Sequence, residues 1–347
     1  MESTKQPYIF PEPQPRLTDA ESALSAPLER EAEKSRRLRH LILLFVTAIT
    51  TTLTGAAWGV KIDHQPESVM GVLFAPFVAA FNQTMAGNYE ALMNGLIFTF
   101  TLLTILGAHE LGHYFACRYY GIRATLPFFI PAPPLLTPFG TFGAVIKIKE
   151  PIRTRKALFD IGIAGPLAGF ALALPASFIG LLIAQPAPLE EIGSAGGMQF
   201  HDPLLFIFIN KLFGLPEWIL WNPVYWAAWG ALLVTALNLF PVGQLDGGHV
   251  LYAVLGRRTH KWVSRLVCVA VAAVAVVDYA LHKPPPSVDA FYIPPYTIWT
   301  VVLLFLLKVG HPPVMEDEKL GAGRVILAVV AALVFLLCFM PFPITIS

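Results

Sequence analysis

In "TLLTILGAHELGHYFACRYYG", residues 101–121, His109, Glu110 and His113 fall within five positions at the end of an apolar run. They fit the pattern H-E-x-x-H. On a helix, residues four apart lie about 40° from each other around the axis. His109 and His113 therefore face the same way, one turn apart, and can grip one metal ion. Neutral imidazole is a good zinc ligand. Glu110, one residue round, can reach a metal-bound water without itself binding the metal. The pKa of such a water is lowered toward about 7, so a carboxylate can take its proton. The ordinary alternative is a set of hydrogen-bonded core residues. Against it, a bilayer penalises each ionisable group by roughly 3 kcal/mol or more at mid-depth, and such groups are functional by default.

A catalytic zinc needs a third protein ligand and an open position. Asp278 lies near the outer end of an apolar segment, on the wrong side by the topology below. Asp160 stands beside Arg153, Arg155 and Lys156 and pairs more simply with them. Asp246 remains, in "LNLFPVGQLDGGHV", residues 237–250. Pro241, Gly243, Gly247 and Gly248 would break a helix there. Irregular backbone is tolerated at membrane depth only where it lines a cavity or is buried in protein. The alternative for Asp246, the weaker of the two readings, is an N-cap or turn aspartate. Asn238 could donate a hydrogen bond to a developing oxyanion or make a helix–helix hydrogen bond.

The elements that must position these residues are membrane helices. The chain has 347 residues, 55% hydrophobic and 14% charged, with mean hydropathy +0.61. Soluble domains carry about 25% charged residues. The net charge of +1 offers no bulk case for a nucleic-acid partner. Cys117, Cys268 and Cys338 lie far apart in or beside apolar runs and read as core residues, without a disulfide framework. A span needs about 20 apolar residues. Candidates are 41–60, 92–117, 157–184, 224–244, 262–281, 294–309 and 322–340, the sixth of them short. Residues 1–39 have no apolar stretch and no signal-peptide order, and read as a cytosolic, largely disordered tail.

Arg36, Arg37 and Arg39 before the first span place the N-terminus in the cytosol. Alternating spans then put Arg118 and Arg123, "KIKEPIRTRK" (147–156) and "GRRTHK" (256–261) on the same side. The outer loops, 61–90 and 185–222, carry few Lys or Arg residues, and 203–214 is a short amphipathic stretch.

The helix carrying HELGH together with "NLFPVGQLDGG" resembles the site-2 protease family of intramembrane zinc metalloproteases. Its members show HExxH on one span and an N-x-x-P-x-x-x-L-D-G-type segment on a later one. Asn238, Pro241, Leu245, Asp246 and Gly247 match that segment, and the resemblance covers about 91–256. It implies one zinc per chain bound by His109, His113 and Asp246, with Glu110 as general base. It also implies cleavage of single-span membrane-protein substrates near the cytosolic face, releasing a cytosolic fragment. "AGPLAGF", 164–170, matches a further family segment, although many members have Asn where Gly169 stands. Physically, Gly165 and Gly169 form a small-xxx-small pair that lets helices pack closely.

In "PFGTFGAVIKIKEP", 138–151, Ala144, Ile146 and Ile148 alternate with Val145, Lys147 and Lys149. The period of two suggests a short strand or hairpin. A protease must hold its substrate extended, and an exposed strand edge can do that by β-augmentation. The resemblance implies such a membrane-associated β element; a plain cytosolic hairpin is the alternative. His249 and His311 read as structural, and His201, His260 and His282 as loop or interface residues.

The expectation is an all-α polytopic membrane protein with about six to seven transmembrane helices and a short membrane-associated β element. Its parts are a tail (1–39), a first helix and outer loop (40–90), a catalytic core (91–256) and C-terminal helices (257–347). The expected function is zinc-dependent hydrolysis of peptide bonds in transmembrane segments, the substrates pre-cleaved by another protease in one mode of regulation. A prokaryotic cytoplasmic membrane is the expected location, since no targeting segment is visible. The rivals are a membrane metal-ion transporter, which predicts ligands at mid-bilayer and several sites in series, and a non-catalytic zinc-binding membrane protein, which predicts loss of Glu110 or a ligand.

Overall fold

The fold was analysed in a computed structural model, which describes residues 19–60, 69–134, 136–187, 198–215, 219–220, 222–281, 300, 304, 314, 318–341 and 343–346. The chain divides into two units, Met1–Ile42 and Leu43–Ser347. Helix α1 runs over Asp19–Trp58. Residues 19–39 are thus helical where a disordered tail was expected. Their Ala, Leu, Glu, Lys and Arg content has high intrinsic helix propensity, which the absence of an apolar stretch does not cancel.

The described chain is mostly helical. After α1 come α2 (Val69–Met85), α3 (Glu90–Tyr119), strands β1 (Phe128–Pro131) and β2 (Thr141–Val145), and α4 (Arg155–Leu182). Then follow β3 (Met198–Phe200), α5 (Leu204–Phe213), α6 (Pro223–Asn238), α7 (Asp246–Leu281), α8 (Ala322–Cys338) and β4 (Ile344–Ile346). Four described helical segments are long and apolar enough to cross a membrane: Arg37–Trp58, α3, α4 and Asp246–Val277. α5 and α8 are shorter apolar helices. The segment 294–309 lies outside the described residues except at positions 300 and 304.

Two boundaries differ from the sequence reading. The helix expected over 224–244 stops at Asn238. The next helix starts at Asp246, is interrupted at Gly256 (φ 80°), and absorbs the segment expected over 262–281. Gly247 and Gly248 lie inside the first turn of α7 rather than in the break. A Cβ on Gly247 would stand 1.9 Å from the Leu239 carbonyl oxygen, so this glycine lets the connection fold directly onto the helix start. The loop 61–90 also contains the charge-free helix α2, which was not foreseen.

α3 packs most extensively on α4, and both pack on α6. One stripe of α3, Phe98, Leu102, Ile105 and Leu106, is buried with Leu158, Phe159 and Ile163 of α4 and Trp229 and Leu232 of α6. His109, Glu110 and His113 continue that stripe. Close approach is permitted by Gly112, whose Cβ would meet the Ala164 carbonyl oxygen at 2.4 Å.

β1 and β2 form an antiparallel pair with Phe128 opposite Val145 and an irregularity between Phe129 and Pro131. An isolated bridge, Ala124 to Ile148, prolongs the ribbon. Ala144, Ile146 and Ile148 are half-buried, while Val145, Lys147 and Lys149 are exposed, as the alternation requires. α1 holds the turn of this hairpin. Thr50 Oγ1 donates to the Gly140 carbonyl at 2.7 Å and Trp58 Nε1 donates to the Pro138 carbonyl at 3.0 Å. A second antiparallel pair, β3 with β4, was not anticipated.

Candidate metal centre

Three elements meet at one point. α3 supplies His109, Glu110 and His113 from its buried stripe, α6 supplies Asn238 at its last turn, and α7 supplies Asp246 as its first residue. The Nε2 atoms of His109 and His113 are 3.1 Å apart. Each lies 3.3 Å from Oδ2 of Asp246. Both histidines are buried, and Asp246 is largely so.

These distances suit a cation. Zinc–nitrogen bonds of 2.0–2.1 Å in a tetrahedron place donor atoms about 3.3 Å apart. The hydrogen bonding agrees. His113 Nδ1 lies 2.7 Å from the Ile161 carbonyl oxygen. That oxygen can only accept, so Nδ1 carries the proton and neutral His113 turns a lone pair from Nε2 toward the centre. An imidazole held this way by a backbone carbonyl is the usual support of a metal-bound histidine. Without a cation, Nε2 and a carboxylate oxygen would face each other as acceptors in a buried setting, which is costly. His109, His113 and Asp246 are therefore a group that could hold a metal ion.

Glu110 stands back, with Oε1 4.0 Å from His109 Nε2. The backbone amide of Ile146, just beyond β2, lies within its reach, so the hairpin borders the centre. Asn238 Nδ2 is 3.2 Å from His109 Nε2. α4 lies close against both histidines. A Cβ on Gly165 would stand 2.1 Å from His113 Nε2, and one on Gly169 would stand 3.1 Å from His109 Cβ.

His249 lies half-buried against Gly162, where an added Cβ would come within 2.8 Å of its own Cβ. Asp160 does not pair with Arg153, Arg155 or Lys156. It takes both Arg324 Nε and Nη2, at 2.8 and 2.7 Å, and the Tyr120 hydroxyl. Helical geometry turns its nearest basic neighbours elsewhere. Arg155 donates to the Ala253 and Val254 carbonyls, and Lys156 pairs with Glu318. The backbone carbonyl of His201 accepts from Trp229 Nε1. His282, His311 and the side chain of Asp278 lie outside the described residues.

Sequence reasoning missed a clamp. His260 is buried, and its Nε2 lies 3.1 Å from the Gly243 carbonyl oxygen. One turn on, Ser264 Oγ donates to the Pro241 carbonyl at 3.0 Å, and Cys268 packs on Val242. This 260–264–268 face grips the connection between Asn238 and Asp246. Its four-residue spacing was visible, but nothing in the sequence said which loop it would meet.

The sequence profile of Peptidase family M50 matches residues 97–280. The chain is 33% identical over 263 residues to the probable zinc metalloprotease EGY2, chloroplastic, of Arabidopsis thaliana, covering 74% of this chain and 43% of that protein. It is 30% identical over 263 residues to the protein of the same name in Oryza sativa subsp. indica, with 74% and 44% covered. The probable zinc metalloprotease EGY1, chloroplastic, of Arabidopsis thaliana is 26% identical over 310 residues, with 87% and 52% covered. The chain thus spans about half the length of these relatives, or somewhat less. The match takes in His109, Glu110, His113, Asn238 and Asp246 and extends over more than half of the sequence: the chain belongs to Peptidase family M50.

Proposed function

We propose that this protein is an intramembrane zinc metalloprotease that hydrolyses peptide bonds in the transmembrane segments of single-span membrane proteins and releases a cytosolic fragment. The observation that carries the reading is the convergence of His109, His113 and Asp246 donor atoms at 3.1–3.3 Å with Glu110 held back at 4.0 Å. One zinc per chain would be held by His109 Nε2, His113 Nε2 and Asp246 Oδ2. When bound, zinc supplies Lewis-acid polarisation and brings the pKa of water toward about 7.

Glu110 takes a proton from the attacking water at a carboxylate oxygen and returns it to the departing amide nitrogen. Asn238 Nδ2 donates toward the carbonyl oxygen as negative charge develops on it. The exposed backbone edge beside β2 holds the unwound substrate as an added strand. This keeps the scissile bond next to Glu110, which Ile146 borders. The basic clusters support a centre near the cytosolic face of a membrane crossed by six to seven helices, with residues 91–256 as the catalytic core. We place it in a prokaryotic cytoplasmic membrane. The relatives' names say chloroplastic of those proteins.

The test is zinc content and cleavage of a single-span substrate by purified wild type and Glu110→Gln. Wild type should hold about one zinc and cut, while the variant holds zinc and does not cut. Zinc flux through the protein in liposomes, with no cleavage across a broad substrate panel, would assign a transporter instead.

A further inference from the structure

We propose that the helical turns of α7 following Gly256 are a binding surface for the headgroups of anionic phospholipids. Arg257, Arg258, Lys261 and Arg265 fall within an arc of about 100° on the helix, and all four are exposed. None is ion-paired with a described carboxylate. Beyond Asp246, the stretch to Val277 contains no Asp or Glu. The charge on this arc is therefore unopposed by its own element.

The setting fits a lipid rather than bulk water. Trp262 is exposed beside the arc, and the Arg265 guanidinium lies 5.6 Å from its ring centroid. Further along, Leu266, Val269 and Val276 are each about two-thirds exposed on a segment apolar enough to cross a membrane. Cations, an interfacial tryptophan and then bare aliphatic side chains follow one another along a single helix. That order matches headgroup, interface and acyl chain. A cluster of four or more Lys and Arg at such a border attracts anionic lipid.

The buried face of the same turns carries His260 and Ser264, which hold the Gly243 and Pro241 carbonyls. A lipid seated on the basic arc thus bears on the helix that holds the connection between Asn238 and Asp246. This assignment is independent of the protease reading.

The test is native mass spectrometry of the full detergent-solubilised chain titrated with phosphatidylglycerol or phosphatidylcholine. Wild type should retain phosphatidylglycerol at about tenfold lower lipid concentration or less. The variant R257Q/R258Q/K261Q/R265Q should bring phosphatidylglycerol down to the phosphatidylcholine level. R257K/R258K/R265K, which keeps the charge, should preserve the preference, and the milder R258Q/K261Q should weaken it severalfold. A large excess of inorganic phosphate should leave the bound lipid in place.

Equal retention of the two lipids by wild type overturns the proposal, as does an unchanged preference in the quadruple variant. Displacement by free phosphate would reassign the arc to a soluble anion. Capture of a polyglutamate peptide without lipid preference would reassign it to an acidic protein segment. The readout is lipid retention, so a chain that cleaves nothing still tests the surface.

Discussion

A Cβ atom placed on Gly165 would stand 2.1 Å from Nε2 of His113. α4 therefore does more than lie close to the HExxH helix. It forms the wall against which the second histidine is set, and that wall has room for hydrogen only. Gly165→Ala should displace the ring, because neither helix backbone can yield by that much. We expect zinc content to fall about tenfold or more, by overpacking worth roughly 1–3 kcal/mol, with helical circular dichroism unchanged. Gly169→Ala meets His109 Cβ at 3.1 Å and should keep most of its zinc. Equal zinc in wild type and Gly165→Ala would refute the packing argument.

His260 and Ser264 predict a graded effect on the metal. Gln can carry an amide N–H near the position of the imidazole Nε2–H, so His260→Gln should bind zinc almost as wild type does. His260→Leu leaves the buried Gly243 carbonyl without its partner, at a cost of about 1–3 kcal/mol. It should release zinc to a chelator roughly tenfold or more faster. Ser264→Ala should fall between the two.

Removal of the ion should loosen the centre. With acceptors facing one another at 3.1–3.3 Å, the apo site lacks the charge that reconciles them. A chelator should lower the Tm by several degrees and zinc should restore it, as mass action on a native-state ligand requires. In Asp246→Ala, chelator and zinc should leave the Tm almost unmoved.

Asp202 predicts a pH dependence away from the metal. Burial raises its carboxyl above the ordinary 3.8, although the Tyr225 hydroxyl hydrogen bond opposes the shift. A carboxyl whose folded pKa is raised contributes stability at low pH and loses it as pH rises through the folded value. Asp202→Asn keeps an oxygen for the Tyr225 hydroxyl and cannot ionise. Its Tm should match wild type near pH 4 and exceed it by pH 7. A Tm gap that stays constant across this range would contradict the assigned cause.

Trp58 should matter to cleavage and not to zinc. Trp58→Phe removes the hydrogen bond to Pro138, worth about 0.5–1.5 kcal/mol. Turnover of a membrane-embedded substrate should drop severalfold while bound zinc stays at the wild-type level, measured on one preparation.

The residues of the centre were legible because zinc chemistry restricts residue type and the helix restricts spacing. His109, Glu110 and His113 declare themselves within five positions, and Asp246 was left after Asp160 and Asp278 were set aside. What stayed hidden is set by distant partners. Asp160 sits beside three cations in sequence yet pairs with Arg324, because its helical neighbours point to the Ala253 and Val254 carbonyls and to Glu318. β1 lacks the alternation that exposed β2, since "FFIP" is nearly all apolar. α2 is charge-free but has only 17 residues, with Pro76 inside, too few to read as a span of about 20. A break in this segment was foreseen from Pro241 and the glycines, but not that the helix stops as early as Asn238, and Gly247 and Gly248 serve the close approach of the ends of the break rather than the break itself.

Thr50 and Trp58 bolt the tip of the β hairpin to α1, while the hairpin's other end borders Glu110. The hairpin is thus a lever with one end on the first helix and the other beside the metal centre. A displacement of α1 near Thr50 and Trp58 would be passed along it to the backbone next to Glu110, so a change on the outside of the helix packing has a direct mechanical route to the residues that would hold the ion.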